Sequence, residues 1–167
     1  HERWLCSGKL TWPGVTHQRF VLGRAGVGLW IADWIESDSP RIATWFWQLP
    51  ADTDLPSDSS DTAIMAQMDS VLLKCWSNNA IEQNKLLGAT QDKPTAWRAL
   101  GYGLKSEGRV LTFRQPIANT LLTLSFVGIC DHPQVAASFS GHRAGPSGLE
   151  REVCSWQHAG CEWSHTQ

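Results

Sequence analysis

His17, Arg19 and Asp33 are the residues of this chain whose types and spacing could do chemistry together. They lie in the stretch Pro13–Glu36, PGVTHQRFVLGRAGVGLWIADWIE. A carboxylate can hold an imidazole in one tautomer for proton transfer, or the two can ligate a divalent metal ion. A guanidinium on the same surface would suit an acidic substrate, because its planar fork can clamp a carboxylate. The purely structural alternative is a partly buried histidine bonded to a neighbouring carboxylate or backbone group.

The elements that must position these groups are two short apolar runs, Phe20–Leu22 and Leu29–Ile35, on either side of Gly23-Arg24-Ala25-Gly26-Val27-Gly28. Both runs are rich in β-branched and aromatic residues, and the glycines supply positive-φ positions, so the stretch reads as a β-hairpin. Period-2 alternation puts Val15, His17, Arg19 and Val21 on one face of the first strand. Leu29, Ile31, Asp33 and Ile35 share a face of the second, with Trp30, Ala32 and Trp34 opposite. Pairing Leu22 with Gly28 would set His17 directly across from Asp33, with Cβ atoms about 5 Å apart. A slip of one residue would send them to opposite faces. The glycine-rich segment is not a nucleotide loop, since a strand-like LWIADWI follows it where that motif requires a helix.

At 167 residues the chain fits one domain, or one domain with a tail. A net charge of −2 and scattered Lys and Arg give no reason to expect nucleic acid. There is no apolar run of about 20 residues, so no membrane span is expected. Cys6, Cys75, Cys130, Cys154 and Cys161 are odd in number and irregularly spaced, which argues against a disulfide scaffold. Ten tryptophans against one tyrosine suit either a β-rich core or a sugar-stacking surface. The sequence starts at His1 without a methionine or signal peptide and reads as a mature product or a fragment.

Along the chain, Ser7-Gly8 reads as a weak turn before the alternating run Lys9–Trp12. Ile42–Leu49, IATWFWQL, is apolar almost throughout and reads as a strand buried on both faces. Pro50–Thr62 is a loop. Strand-like pieces follow at Ala63–Met68, Val71–Trp76, Ile81–Leu87, Trp97–Lys105, Val110–Phe113 and Thr120–Val127, with Glu107-Gly108 among the turns. Such spacing predicts an all-β fold, an antiparallel β-sandwich over residues 1–129. A short helix over Ala63–Leu73 is the local alternative. Residues 130–167 lose the period-2 signal and form an irregular tail, dense in Gly, Ser, His and Cys, which is expected to be poorly ordered or out of frame. In it Cys154, His158, Cys161 and His165 stand at i, i+4, i+7 and i+11. Eleven helical residues rise about 16 Å, so a helix could not bring all four to one zinc ion.

In its hairpin and its Trp-rich strand, the chain resembles the C-terminal β domain of heparinase II/III-like polysaccharide lyases. The resemblance runs over Ser7–Val127. It rests on Pro13-Gly14-Val15-Thr16-His17-Gln18-Arg19, on Leu29-Trp30-Ile31-Ala32-Asp33, on a strand ending Gln48-Leu49-Pro50, and on Ala99-Leu100-Gly101-Tyr102-Gly103-Leu104-Lys105. It implies a sandwich packed on a missing N-terminal α/α toroid, with the active site in the cleft between them. The family cleaves acidic, uronic-acid polysaccharide by β-elimination and is periplasmic or secreted. His17 matches a histidine that the β domain offers to that cleft, and His17 with Arg19 are the expected catalytic residues. Asp33 matches an aspartate that ligates a structural metal in some members. The neighbourhoods where further histidines often stand read Pro40-Arg41 and Phe46-Trp47-Gln48, so a zinc site of His17 and Asp33 has an incomplete ligand set and no cofactor is expected. Tyr102 is read as structural, and the chain alone is expected to be inactive.

Two other readings stand beside this one. The tryptophan surplus suits a non-catalytic carbohydrate-binding or interaction module, recognisable by a linear row of exposed rings. A degraded gene product would retain shape alone.

Overall fold

The computed structural model describes residues 3–55, 60–88, 96–129, 139–141, 152–158 and 161–166. It comprises two compact units, His1–Ile129 and Cys130–Gln167. The first holds β1 (Arg3–Trp12), β2 (Val15–Arg24), β3 (Gly28–Ser37), β4 (Arg41–Pro50), β5 (Ala63–Met68), β6 (Val71–Ser77), β7 (Glu82–Gly88), β8 (Trp97–Gly101), β9 (Leu104–Ile117) and β10 (Thr120–Ile129). One sheet runs β1-β2-β3-β10-β6-β5. The other runs β4-β9-β7, with β8 also paired to β9. Every pairing is antiparallel. The fold is therefore all-β and sandwich-like, with no α-helix among the described residues.

Alternation builds the core between the sheets. Val15, Ile35, Ile64, Leu73 and Leu121 face inward from the six-stranded sheet, and Trp45, Leu49, Leu111, Phe113 and Ile117 meet them from the other. Trp45 and Phe113 stack with ring centroids 6.0 Å apart. Such side chains each contribute about 1.5–3 kcal/mol by leaving water.

Several local expectations change. The Ile42–Leu49 run is buried on one face only: Trp45 and Leu49 point into the core, whereas Ile42 is 51% and Phe46 69% exposed. Its strand ends the second sheet, so apolar Ile42 and Phe46 on the outer face reflect composition and not two-sided cover. Ser7-Gly8 is no turn, since β1 runs straight through it with Gly8 opposite Arg19. Glu107-Gly108 lies inside β9. The chain reverses instead at Tyr102-Gly103, where Gly103 has φ +72°, which splits Trp97–Lys105 into β8 and the start of β9. Ala63–Leu73 is a hairpin of β5 and β6, not a helix.

The β2–β3 hairpin closes through Ala25-Gly26-Val27. The Val27 amide donates to the Arg24 carbonyl at 3.1 Å, and Gly26 takes φ +73°, a conformation that other residues adopt only with strain. Arg24 thus pairs with Gly28, and Leu22 with Trp30. The register differs by two residues from a Leu22–Gly28 pairing because the loop is three residues long, not five. A two-residue difference conserves the faces.

In the second unit, β11 (Phe139–Gly141), β12 (Glu152–His158) and β13 (Cys161–Thr166) form an antiparallel sheet of order β11-β12-β13. The remainder of the tail, on which the expectation of poor order also falls, lies outside the described residues.

Candidate functional site

The three residues singled out from the sequence come together on the inner face of the β2–β3 ladder. Arg19, and not His17, stands directly opposite Asp33. His17 pairs with Ile35 and reaches Asp33 diagonally. Its Nε2 lies 2.6 Å from Asp33 Oδ1. Arg19 donates from Nε to Oδ1 at 2.7 Å and from Nη2 to Oδ2 at 3.2 Å. The Asp33 side chain is 1% exposed, against 21% for His17 and 47% for Arg19. A buried carboxylate needs this kind of compensation, and two partners with donors on both its oxygens provide it.

The order of burial decides which atoms could act. A carboxylate paired with a guanidinium accepts hydrogen bonds, so Nε2 of His17 is the donor and Nδ1 takes no part in that contact. Arg19 spends Nε and Nη2 on Asp33, and Nη1 takes no part in that pair. His17 lines two depressions. One, of about 420 Å³, it shares with Cys6, Lys9, Leu10 and Arg19. The other, of about 300 Å³, it shares with Trp12, Arg41 and Trp45.

Deeper in the sandwich, the polar line continues. Thr123 of β10 stands opposite Asp33, and its Oγ1 bonds Gln115 Oε1 at 3.1 Å. The same oxygen accepts from Trp45 Nε1 at 2.6 Å. Gln115 Nε2 is buried without a hydrogen-bond partner. Cys75, fully buried nearby, is pushed up to about 12 by burial; a hydrogen bond with Ser125 opposes this and the Asp33 charge adds to it. That thiol is no nucleophile at neutral pH.

The donor set does not fit a divalent metal ion. Both oxygens of Asp33 are held by Arg19, whose guanidinium takes the cation's place. The described residues contain no group of three His, Cys, Asp or Glu side chains able to hold an ion. In the second unit, Cys154 pairs with His165 and His158 with Cys161 across one hairpin. The two pairs are four residues apart along the strand, about 13 Å at the strand rise. Tyr102 stands fully exposed at its turn, on the strands of the other sheet.

Sequence reasoning found His17, Arg19 and Asp33 but missed Trp12 and Arg41, which line the second depression with His17. The Pro13-Gly14 turn beside Trp12 was the available signal for the former. Nothing in the local pattern around Arg41 marks it.

No protein-family model matches this chain, and no curated protein matches it. Among solved structures, it is similar to heparinase III, with a TM-score of 0.63 and 10% identity over 98% of this chain and 25% of that one. It is also similar to heparan sulfate lyase HepC from Pedobacter heparinus, with a TM-score of 0.54 and 16% identity over 98% of this chain and 26% of that one. At these identities the likeness is one of fold. The chain spans about a quarter of the length of the lyases it resembles.

Proposed function

We propose that this chain is the β-sandwich part of a heparinase II/III-like lyase, which cleaves uronic-acid polysaccharide by β-elimination together with an N-terminal α/α toroid domain, outside the cytoplasm, in the periplasm or after secretion. The observation that carries this is the His17–Asp33–Arg19 cluster, half-open to solvent on a sandwich whose fold heparinase III shares. In such an elimination a base takes the C5 proton, the C4–C5 double bond forms, and the O4 leaving group departs and is protonated. His17 Nδ1 suits the proton transfer, with Asp33 holding the ring through Nε2. Arg19 Nη1 suits the uronate carboxylate, whose neutralisation makes C5 acidic enough to lose its proton. The remaining machinery would come from the helical domain.

The test is unsaturated-uronate absorbance on heparan, alginate and related polymers. The chain alone should show none, because one sandwich face offers too few of the groups an elimination needs. Joined to its helical domain it should turn over, and His17→Ala should then lose activity by about a hundredfold or more. Turnover by the joined protein that His17→Ala leaves intact would remove the assignment.

A carbohydrate-binding module is favoured by Trp4 and Trp12, which are 50% and 47% exposed on β1. They lie eight residues apart, about 26 Å along the strand, so they do not form a continuous row. Trp30, Trp34, Trp45 and Trp76 are buried, which fits tryptophan used as scaffold.

A further inference from the structure

The depression of about 300 Å³ is bordered by His17, whereas Arg19 and Asp33 do not line it. Trp12, Arg41, Ile42 and Trp45 are among the residues that line it. Its two outer groups are held in place from the backbone upward. β1 and β2 are joined by Trp12-Pro13-Gly14-Val15, with Gly14 at φ +76°. Proline followed by a positive-φ glycine makes a tight turn and sets Trp12 opposite Val15. The Gly14 carbonyl then accepts the Asp38 amide at 3.0 Å, tying this turn to the one between β3 and β4.

Arg41 lies over the same turn: a Cβ built on Gly14 would come within 2.7 Å of its Nη2. Arg41 Nε donates to Ser37 Oγ at 3.1 Å, and that hydroxyl donates to the Ser39 carbonyl at 2.7 Å. The guanidinium is therefore oriented mainly by a neutral partner. Its ion pair with Asp38 is long, 3.5 Å, and both side chains are substantially exposed, at 44% and 67%. Such a pair is weak and gives way to a better-placed anion. Trp12, 47% exposed, leaves part of its indole uncovered.

We propose that the Trp12–Arg41 depression is a binding subsite for an acidic hexose unit, adjoining the His17–Arg19–Asp33 cluster at His17. The ring's C–H face packs on the Trp12 indole, and its carboxylate or sulfate accepts from the Arg41 fork. The choice of an acidic sugar rests on the function proposed above. On that reading a polysaccharide crossing His17 meets Arg19 on one side and Arg41 on the other, so cations stand on both sides of the proton-transfer group.

Calorimetric titration of the 167-residue chain with a heparan sulfate oligosaccharide of defined length tests this, with its desulfated, carboxyl-reduced form as the uncharged control. The expected result is measurable, salt-sensitive binding of the acidic form alone. Trp12→Ala and Arg41→Gln should each weaken it by about tenfold, the loss typical of one charge-assisted contact, and Arg41→Lys should recover only part. Both residues are half-exposed, so thermal unfolding of the variants should match the parent and show that the loss is not one of folding. Binding that falls with Arg19→Gln but ignores Trp12→Ala and Arg41→Gln would overturn the subsite and leave the proposed function standing. Equal binding of the uncharged form would overturn the acidic ligand. No binding even at millimolar ligand would overturn the subsite outright, since every residue it names is on this chain; the lyase assay on the joined protein would still decide the proposed function.

Discussion

Arg19 closes on Asp33 from directly across the β2–β3 ladder, with Nε and Nη2 on the two carboxylate oxygens at 2.7 and 3.2 Å. The acid is buried and the base half-exposed. The pair is thus a buried negative charge neutralised from the solvent side, and its two members are not equivalent.

Arg19→Ala leaves Asp33 in the sheet with His17 as its remaining side-chain partner among the described residues. Removing one member of a fully buried pair costs about 3–5 kcal/mol, and solvent access to Arg19 reduces the expected loss to about 1–3 kcal/mol. Arg19→Lys should recover little, since an ammonium cannot hold both oxygens at once. Denaturant unfolding measures this. A loss no greater than that of Lys9→Ala on the exposed β1 would mean the pair contributes nothing to stability.

Trp45 and Gln115 bond across the core at 2.6 Å, 70 residues apart in sequence. Trp45→Phe removes one of the two donors to Gln115 Oε1 and should cost about 1–3 kcal/mol. Gln115→Leu alone strands the Trp45 indole N–H. The double variant Trp45→Phe, Gln115→Leu should be less destabilised than the two single losses added together, because both polar groups leave and the unpartnered Nε2 goes with them. Simple additivity in the double-mutant cycle would contradict the network.

Cys75 has an ordinary value of 9.0 and is pushed up to about 12 in the fold. The folded state then holds a proton that the unfolded chain has released, so stability should decline as pH rises from about 9 towards 12. Cys75→Ala should flatten that part of the profile. Alkylation read by peptide mapping at mildly alkaline pH should label exposed Cys6 well before buried Cys75. Equal labelling rates in folded protein would show that the burial of Cys75 is wrong.

Period 2 made the faces of the hairpin legible, because a strand repeats every two residues whatever its partner. That is why His17 and Arg19 could be placed on one face of β2, with Asp33 joining them for either odd loop length, three or five. The register itself turns on how many residues Gly23–Gly28 commits to the loop, and a glycine-rich segment permits three or five. The exposure of Phe46 was hidden for another reason. An apolar residue looks the same at a strand position facing the core and at one facing water, and only the sheet order decides. Gln115 meeting Trp45 was illegible because no local pattern relates residues so far apart.

β3 is flanked by β2 on one side and by β10 on the other, and those neighbours arrive at very different times. The β2 partner of Asp33 is 14 residues away in the chain, so Arg19 can reach it as soon as the hairpin has been made. Thr123, its partner on the other flank, is emitted some ninety residues later, near the end of the sandwich. Loop closure over that length is slow. The contact to Arg19 closes a short loop and the one to Thr123 a long loop, so the burial of the Asp33 carboxylate depends on the last strand of the sandwich and not on the hairpin alone.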